Sequence, residues 1–140
     1  MYRFQQGFAL RNNLIAIAVI LALLAIIAST LPKGYSDDVS QIGNGNNIAL
    51  LIHDKNTVTS LDIMALMDEI RDDYAGIVDF MVVSVDVATP QERAFVQQQK
   101  VRNAAVLLFS PEGERLDVLW SVPDVDALRT SLNETFQLKQ

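Results

Sequence analysis

The hydrophobic positions of this chain fall into two regimes. Residues 14–31 read LIAIAVILALLAIIASTL, eighteen positions without a charge. As a helix rising 1.5 Å per residue they cover about 27 Å, close to a bilayer's hydrocarbon thickness. They predict one transmembrane helix, with residues 1–13 ahead of it. A cleaved signal peptide has a similar basic start and apolar middle. Two features favour a retained anchor. The run exceeds a signal peptide's apolar core of about 7–15 residues, and Ala28-Ser29-Thr30-Leu31-Pro32-Lys33 is a poor small-x-small cleavage site. Within the run, Ala18, Ala22, Ala25 and Ser29 recur at spacings that share one helix face. That stripe either admits a second helix at close range or reflects the abundance of alanine in membrane helices.

Residues 32–47 break the pattern. They hold Gly34, Gly43 and Gly45 among polar residues without periodicity, which predicts a flexible linker. From Ile48 onward, at 48–140, short apolar runs alternate with helical stripes. Ile48-Ala49-Leu50-Leu51-Ile52 reads as a strand buried on both faces. Thr59 or Ser60 can cap the next helix, and Thr59-x-x-Asp62 fits a capping box. Ile63, Leu66, Met67, Ile70 and Tyr74 form its apolar stripe, and Gly76 is placed to end it. Val78–Val87 predicts a second strand. Thr89-Pro90-Gln91-Glu92 opens a second helix with a cap, a proline at its first position and a returning carboxylate; it runs to about Gln99. Ala105–Phe109 is a third strand, Ser110-Pro111-Glu112-Gly113 a turn, and Glu114–Trp120 the returning strand. Pro123-Asp124 opens a last helix with Val125, Leu128, Leu132 and Phe136 as its buried stripe, and Trp120 is expected to pack beneath it. The order is β-α-β-α-β-β-α, which predicts an α/β three-layer sandwich with a mixed sheet.

Charge sharpens the division. Arg3 and Arg11 are the only charges before the apolar run. All seventeen acids follow it, against nine Lys and Arg, a formal −8. Basic residues stay on the cytoplasmic side of a membrane, so the expected orientation is N-terminus in, domain out. An acidic domain argues against nucleic acid or anionic headgroups as its partner. The chain has no cysteine, which excludes disulfides, thiolate metal sites and cysteine nucleophiles.

The element order resembles that of the thioredoxin family, and several stretches are similar in detail. Met67–Gly76 resembles the end of the family's active-site helix, Val82–Asp86 its central strand, and Val101–Phe109 with Pro111-Glu112-Gly113 the segment of its cis-proline, next strand and hairpin. The resemblance covers about residues 48–138. It implies a thioredoxin-like fold behind one transmembrane helix. It also puts the family's Cys-x-x-Cys on Thr57-Val58-Thr59-Ser60 and its cis-proline on Ala105 or Ala104. Neither Thr57 nor Ser60 can form the thiolate that disulfide exchange requires, and a cis bond before alanine costs about 3 kcal/mol, so it is expected to be trans.

Other chemistries find little to work with. His53, the sole histidine, precedes Asp54 near the hydroxyls of Thr57–Ser60, but adjacent strand residues point to opposite faces, which separates the pair. One histidine without cysteine is no copper site. Asp68, Glu69, Asp72 and Asp73 read as a solvated helix face, Met64, Met67 and Met81 as core fillers, and Asn133-Glu134-Thr135 as a chance sequon. No cofactor is expected, nor an enzymatic activity. The expected role is protein interaction: an accessory or assembly subunit of an integral membrane complex, bound to the bilayer by one helix. The alternative is a periplasmic holdase or maturation factor. The expected place is a bacterial inner membrane with the C-terminal domain in the periplasm. The expected contact rim is His53, Asn56, Thr57, Val58, Thr59, Ser60, Arg102, Asn103, Ala104 and Ala105, the surface that in the family meets protein substrates.

Overall fold

The computed structural model describes residues 2–30, 34–102 and 104–139. They form two units, 1–34 and 35–140. The first is one helix, α1 (Tyr2–Thr30). Its stretch Ala9–Ala28 is long and apolar enough to cross a membrane. The helix thus starts well ahead of residue 14 and includes Arg11. Ala18, Ala22 and Ala25 are exposed, like their neighbours on every face. The side chain of Ser29 and the whole of Leu31 lie outside the described residues.

The second unit is mixed α/β, as its alternating pattern predicts. Its elements are β1 (Asn47–His53), α2 (Val58–Ile70), β2 (Val78–Ser84), α3 (Pro90–Gln99), β3 (Val106–Phe109), β4 (Arg115–Leu119) and α4 (Val125–Thr135). The four strands lie in the order β2-β1-β3-β4. β1 and β2 are parallel; β1–β3 and β3–β4 are antiparallel. Side chains of β1 alternate between two cores. Ala49 and Leu51 pack with Ile63, Met67 and Ile70 of α2 and Leu128 and Leu132 of α4. Ile48, Leu50 and Ile52 pack on the opposite face, where Phe95 and Val96 of α3 cover them. This is why β1 is apolar throughout rather than alternating: both of its faces are interior.

Four details depart from the sequence pattern. First, α2 begins at Val58 with Thr57 as its cap residue, and no side chain caps it; neither Thr59 nor Ser60 takes that role, and the Thr59–Asp62 box does not form. Second, α2 ends at Ile70. Tyr74 belongs to a following 3-10 turn (Arg71–Tyr74), buried edge-on against Phe80, with its hydroxyl donating to Asn133 Oδ1 at 2.8 Å. Asn133 is half-buried and held by this bond. Third, β2 stops at Ser84, so Val85–Val87 leave the sheet.

Fourth, Trp120 is 58% exposed rather than packed under α4. The pairing Val106↔Leu119 makes Leu119 the buried end of β4, and the register shifts at Leu108/Phe109. The irregularity lets Leu116 bulge out, 45% exposed. Trp120 is carried past the last paired residue.

The stretch predicted as linker is packed from Tyr35 onward. The Tyr35 hydroxyl donates to the Asp68 carboxylate, and the Arg71 guanidinium lies 4.3 Å from the centre of its ring. Ser36 makes a parallel bridge to Met81, with Val82 N–H donating to its carbonyl at 3.1 Å. Asp38 caps a short 3-10 turn, Val39–Gln41, through the Ser40 hydroxyl and amide, which hold its carboxyl below the usual range. Val39 is buried in the core on the α3 side. Gly45 N–H then donates to Pro111 O at 3.0 Å, and Gly43 passes the hairpin turn so closely that a Cβ on Gly113 would sit 3.1 Å from Gly43 Cα. Residues 35–46 are thus a strap along the β2 edge and across the hairpin.

Candidate interaction rim

The C-terminal ends of β1 and β2, the start of β3 and the end of β4 lie together at one end of the sheet. The pairs His53↔Ser84, Leu51↔Val106 and Val106↔Leu119 fix that alignment. Three further bonds extend it. Val85 N–H donates to His53 O at 2.9 Å, Ile52 N–H to Ala105 O at 3.0 Å, and Ala104 N–H to Ile52 O at 2.8 Å. Ala104 adopts φ +66°, a left-handed conformation uncommon for a residue with a Cβ. The bond between Ala104 and Ala105 is trans, as expected.

The turn from β1 into α2 is organised around Asp54 and Ser60. Asn56 N–H donates to Asp54 Oδ1 at 2.9 Å, and both Thr57 N–H and its hydroxyl donate to Asp54 O at 3.0 Å. Lys55 N–H donates to Asp86 Oδ2 at 3.0 Å, which ties this turn to the one after β2. Ser60 is fully buried. Its Oγ lies 2.8 Å from His53 Nδ1, 2.9 Å from Asp54 O and 3.1 Å from Thr57 O, and accepts from Asp54 N–H at 3.3 Å. A hydroxyl has one proton and two lone pairs. Three of these four contacts are met at once when His53 donates from Nδ1, Asp54 N–H donates, and Ser60 gives its one proton to a carbonyl. In that state the histidine gives a proton to the hydroxyl rather than taking one. A nucleophile needs the opposite polarity and access to substrate; Ser60 in this setting holds the turn together.

The expected rim residues therefore split into a floor and a surface. His53, Ser60, Ala104 and Ala105 are buried; Asn56, Val58, Thr59 and Arg102 are exposed; Thr57 is half-buried. Asn103 lies outside the described residues. Val58, in the first turn of α2, is 72% exposed.

The structure adds three residues that the sequence pattern hides: Leu61 on α2, Val87 in the β2–α3 turn at 81% exposure, and Trp120. Leu61 falls outside the apolar stripe of α2, and that was the one available signal. Val87 reads as the end of a strand and Trp120 as a core residue. Among the described residues no group of three or more His, Cys, Asp or Glu side chains is arranged to hold a metal. Compared with known proteins, the chain matches no family model and no curated protein.

Proposed function

We propose that this chain is a redox-inactive, membrane-anchored thioredoxin-like protein whose domain is a protein-interaction module. It serves as an accessory or assembly subunit of a larger membrane complex. Its N-terminus lies in the cytoplasm of a bacterial cell and its domain in the periplasm, an orientation drawn from the basic residues ahead of the span. Support for the fold comes from the β-α-β-α-β-β-α order together with a 2-1-3-4 sheet in which the first two strands are parallel. Support for redox inactivity is the lack of any cysteine, since exchange needs a thiolate.

The observation that carries the interaction role is Val58. An apolar side chain stands 72% exposed in the first turn of α2, at the sheet end where the resembled family meets its protein substrates. Burying a valine is worth about 1.5–3 kcal/mol, so a protein surface seated here gains from it. The test is Val58→Asp, with Asn103→Asp as a second variant, in native membranes extracted with mild detergent and resolved on native gels. The wild-type chain is expected to migrate with a large complex at fixed stoichiometry. The variants are expected to migrate near monomer size while their melting temperature holds. Unchanged co-migration of the variants would reject the rim as the contact. A holdase or maturation factor is the second reading, favoured by the spread of exposed apolar residues along the rim. It predicts many substoichiometric clients in place of one stoichiometric partner.

A further inference from the structure

Among the described residues of the second unit, six large apolar side chains are exposed: Val58, Leu61, Ile77, Val87, Leu116 and Trp120. Ile77 precedes β2 at the far end of the sheet, and Leu116 bulges from the middle of β4. The other four share one end. Val58 and Leu61 rise from the start of α2. Val87 follows Asp86, whose carboxylate is bonded to Lys55 three positions before Val58. Trp120 follows Leu119, which pairs with the first residue of β3. Isolated exposed apolar residues are ordinary; several gathered at one end, with polar residues around them, mark a contact surface.

The surrounding charge selects among occupants. Asp54, Asp86, Glu92, Asp124 and Asp126 stand in the loops and first turns of this end, against Lys55, Arg93 and Arg102. Among these carboxylates, Asp54 accepts a backbone bond from Asn56, Asp86 from Lys55 and Asp124 from Ala127. The chain beyond the span carries −8 in all. A second copy would set this acidic ring against itself, and an anionic bilayer would repel it. We infer that the occupant is a basic segment of a partner protein, with apolar side chains for Val58, Leu61, Val87 and Trp120 and flanking Lys or Arg for the acids. This rests on the interaction-module reading and names the chemistry of the partner.

The experiment uses the full chain in native membranes. A photo-reactive benzoylphenylalanine replaces Val87 in one variant, Trp120 in a second, and Ile77, at the opposite end, in a third. After irradiation the cross-linked peptides are sequenced. The first two are expected to label one partner protein, in segments with an excess of Lys and Arg, and the third to give no such adduct. Yield is expected to fall several-fold between about 0.1 M and about 1 M salt, as the screening length drops from about 10 Å to about 3 Å. Adducts in acidic or uncharged segments, adducts with lipid, adducts with a second copy, or a salt-independent yield would each overturn the inference. Those results together with intact co-migration on native gels would leave the module reading standing and remove only its basic partner. A chain that migrates alone would remove the module reading itself.

Discussion

α2 and α3 begin in equivalent places, each just past the end of one of two parallel strands, and their first turns are built in opposite ways. At α3, the Thr89 hydroxyl accepts from Glu92 N–H, Glu92 Oε2 accepts from Thr89 N–H at 2.8 Å, and Pro90 takes the position whose amide would lack a helical partner. At α2, Thr57 turns its hydroxyl back to Asp54 O, and Ser60 points inward to His53. The polar side chains of α3 serve the helix they open. Those of α2 serve the turn below it, which leaves Val58 and Leu61 facing outward. The two starts differ in what their polar side chains serve, and Val58 and Leu61 stand exposed above the turn at α2.

The sharpest way to break this comparison is Ser60→Ala. It adds no bulk at this buried site and removes the hydroxyl that serves Asp54 and His53. Buried groups left without a partner cost about 1–3 kcal/mol each, so a loss of about 3 kcal/mol is expected in urea denaturation followed by circular dichroism. The exposed neighbour Thr59→Val should stay within about 0.5 kcal/mol. Equal losses for the two would show that Ser60 is no hub. Next in size is Thr89→Ala, expected to cost about 1 kcal/mol as a lost cap, whereas Thr57→Ala, which removes no capping bond, should cost less than half of that. Matching thermal shifts for these two would erase the contrast between the helix starts.

The smallest effect concerns the other end of α2, where Tyr35 grips Asp68 and Arg71 in the last turns. Burial first, and then the bond to Asp68 and its negative charge, push the Tyr35 phenol well above its ordinary value of 10.0. The unfolded chain releases this proton at lower pH than the folded one. Stability from the contact is therefore complete below about pH 10 and declines as pH rises toward the folded value. Tyr35→Phe should flatten that alkaline decline, read from denaturation midpoints between pH 9 and pH 11. A slope unchanged by the substitution would show that the grip contributes nothing there.

What could be read from the sequence was local. The cap of α3 is complete within Thr89–Glu92, and the structure reproduces it bond for bond. β1 announces its double burial by being apolar at every position, and Leu128 and Leu132 follow from a stripe of helical period. What could not be read depends on distant partners. Thr57, Thr59 and Ser60 are all chemically able to cap α2, and the choice was made by His53 across the turn. Trp120 stands one position past Leu119, the last residue of β4 paired with β3, and no residue type signals where that pairing stops. The strap looked like linker because it is polar and glycine-rich. What holds it is one aromatic ring, one bridge and one buried valine, each meeting a surface that exists only after folding. On the rim, the residue types did not separate a buried floor, His53, Ser60, Ala104 and Ala105, from an exposed surface.

The strap also makes the path of residues 35–46 depend on whether the rest of the domain is folded. Twelve residues, 35–46, are taken up against the sheet and hairpin. Extended, those twelve span roughly 40 Å of contour at about 3.3–3.6 Å each. Its last anchors, Pro111 and Gly113, are made far later in the chain than Gly43 and Gly45, so this loop closes only once the hairpin exists. Completing the fold therefore gathers these twelve residues out of slack chain and lays them on the sheet.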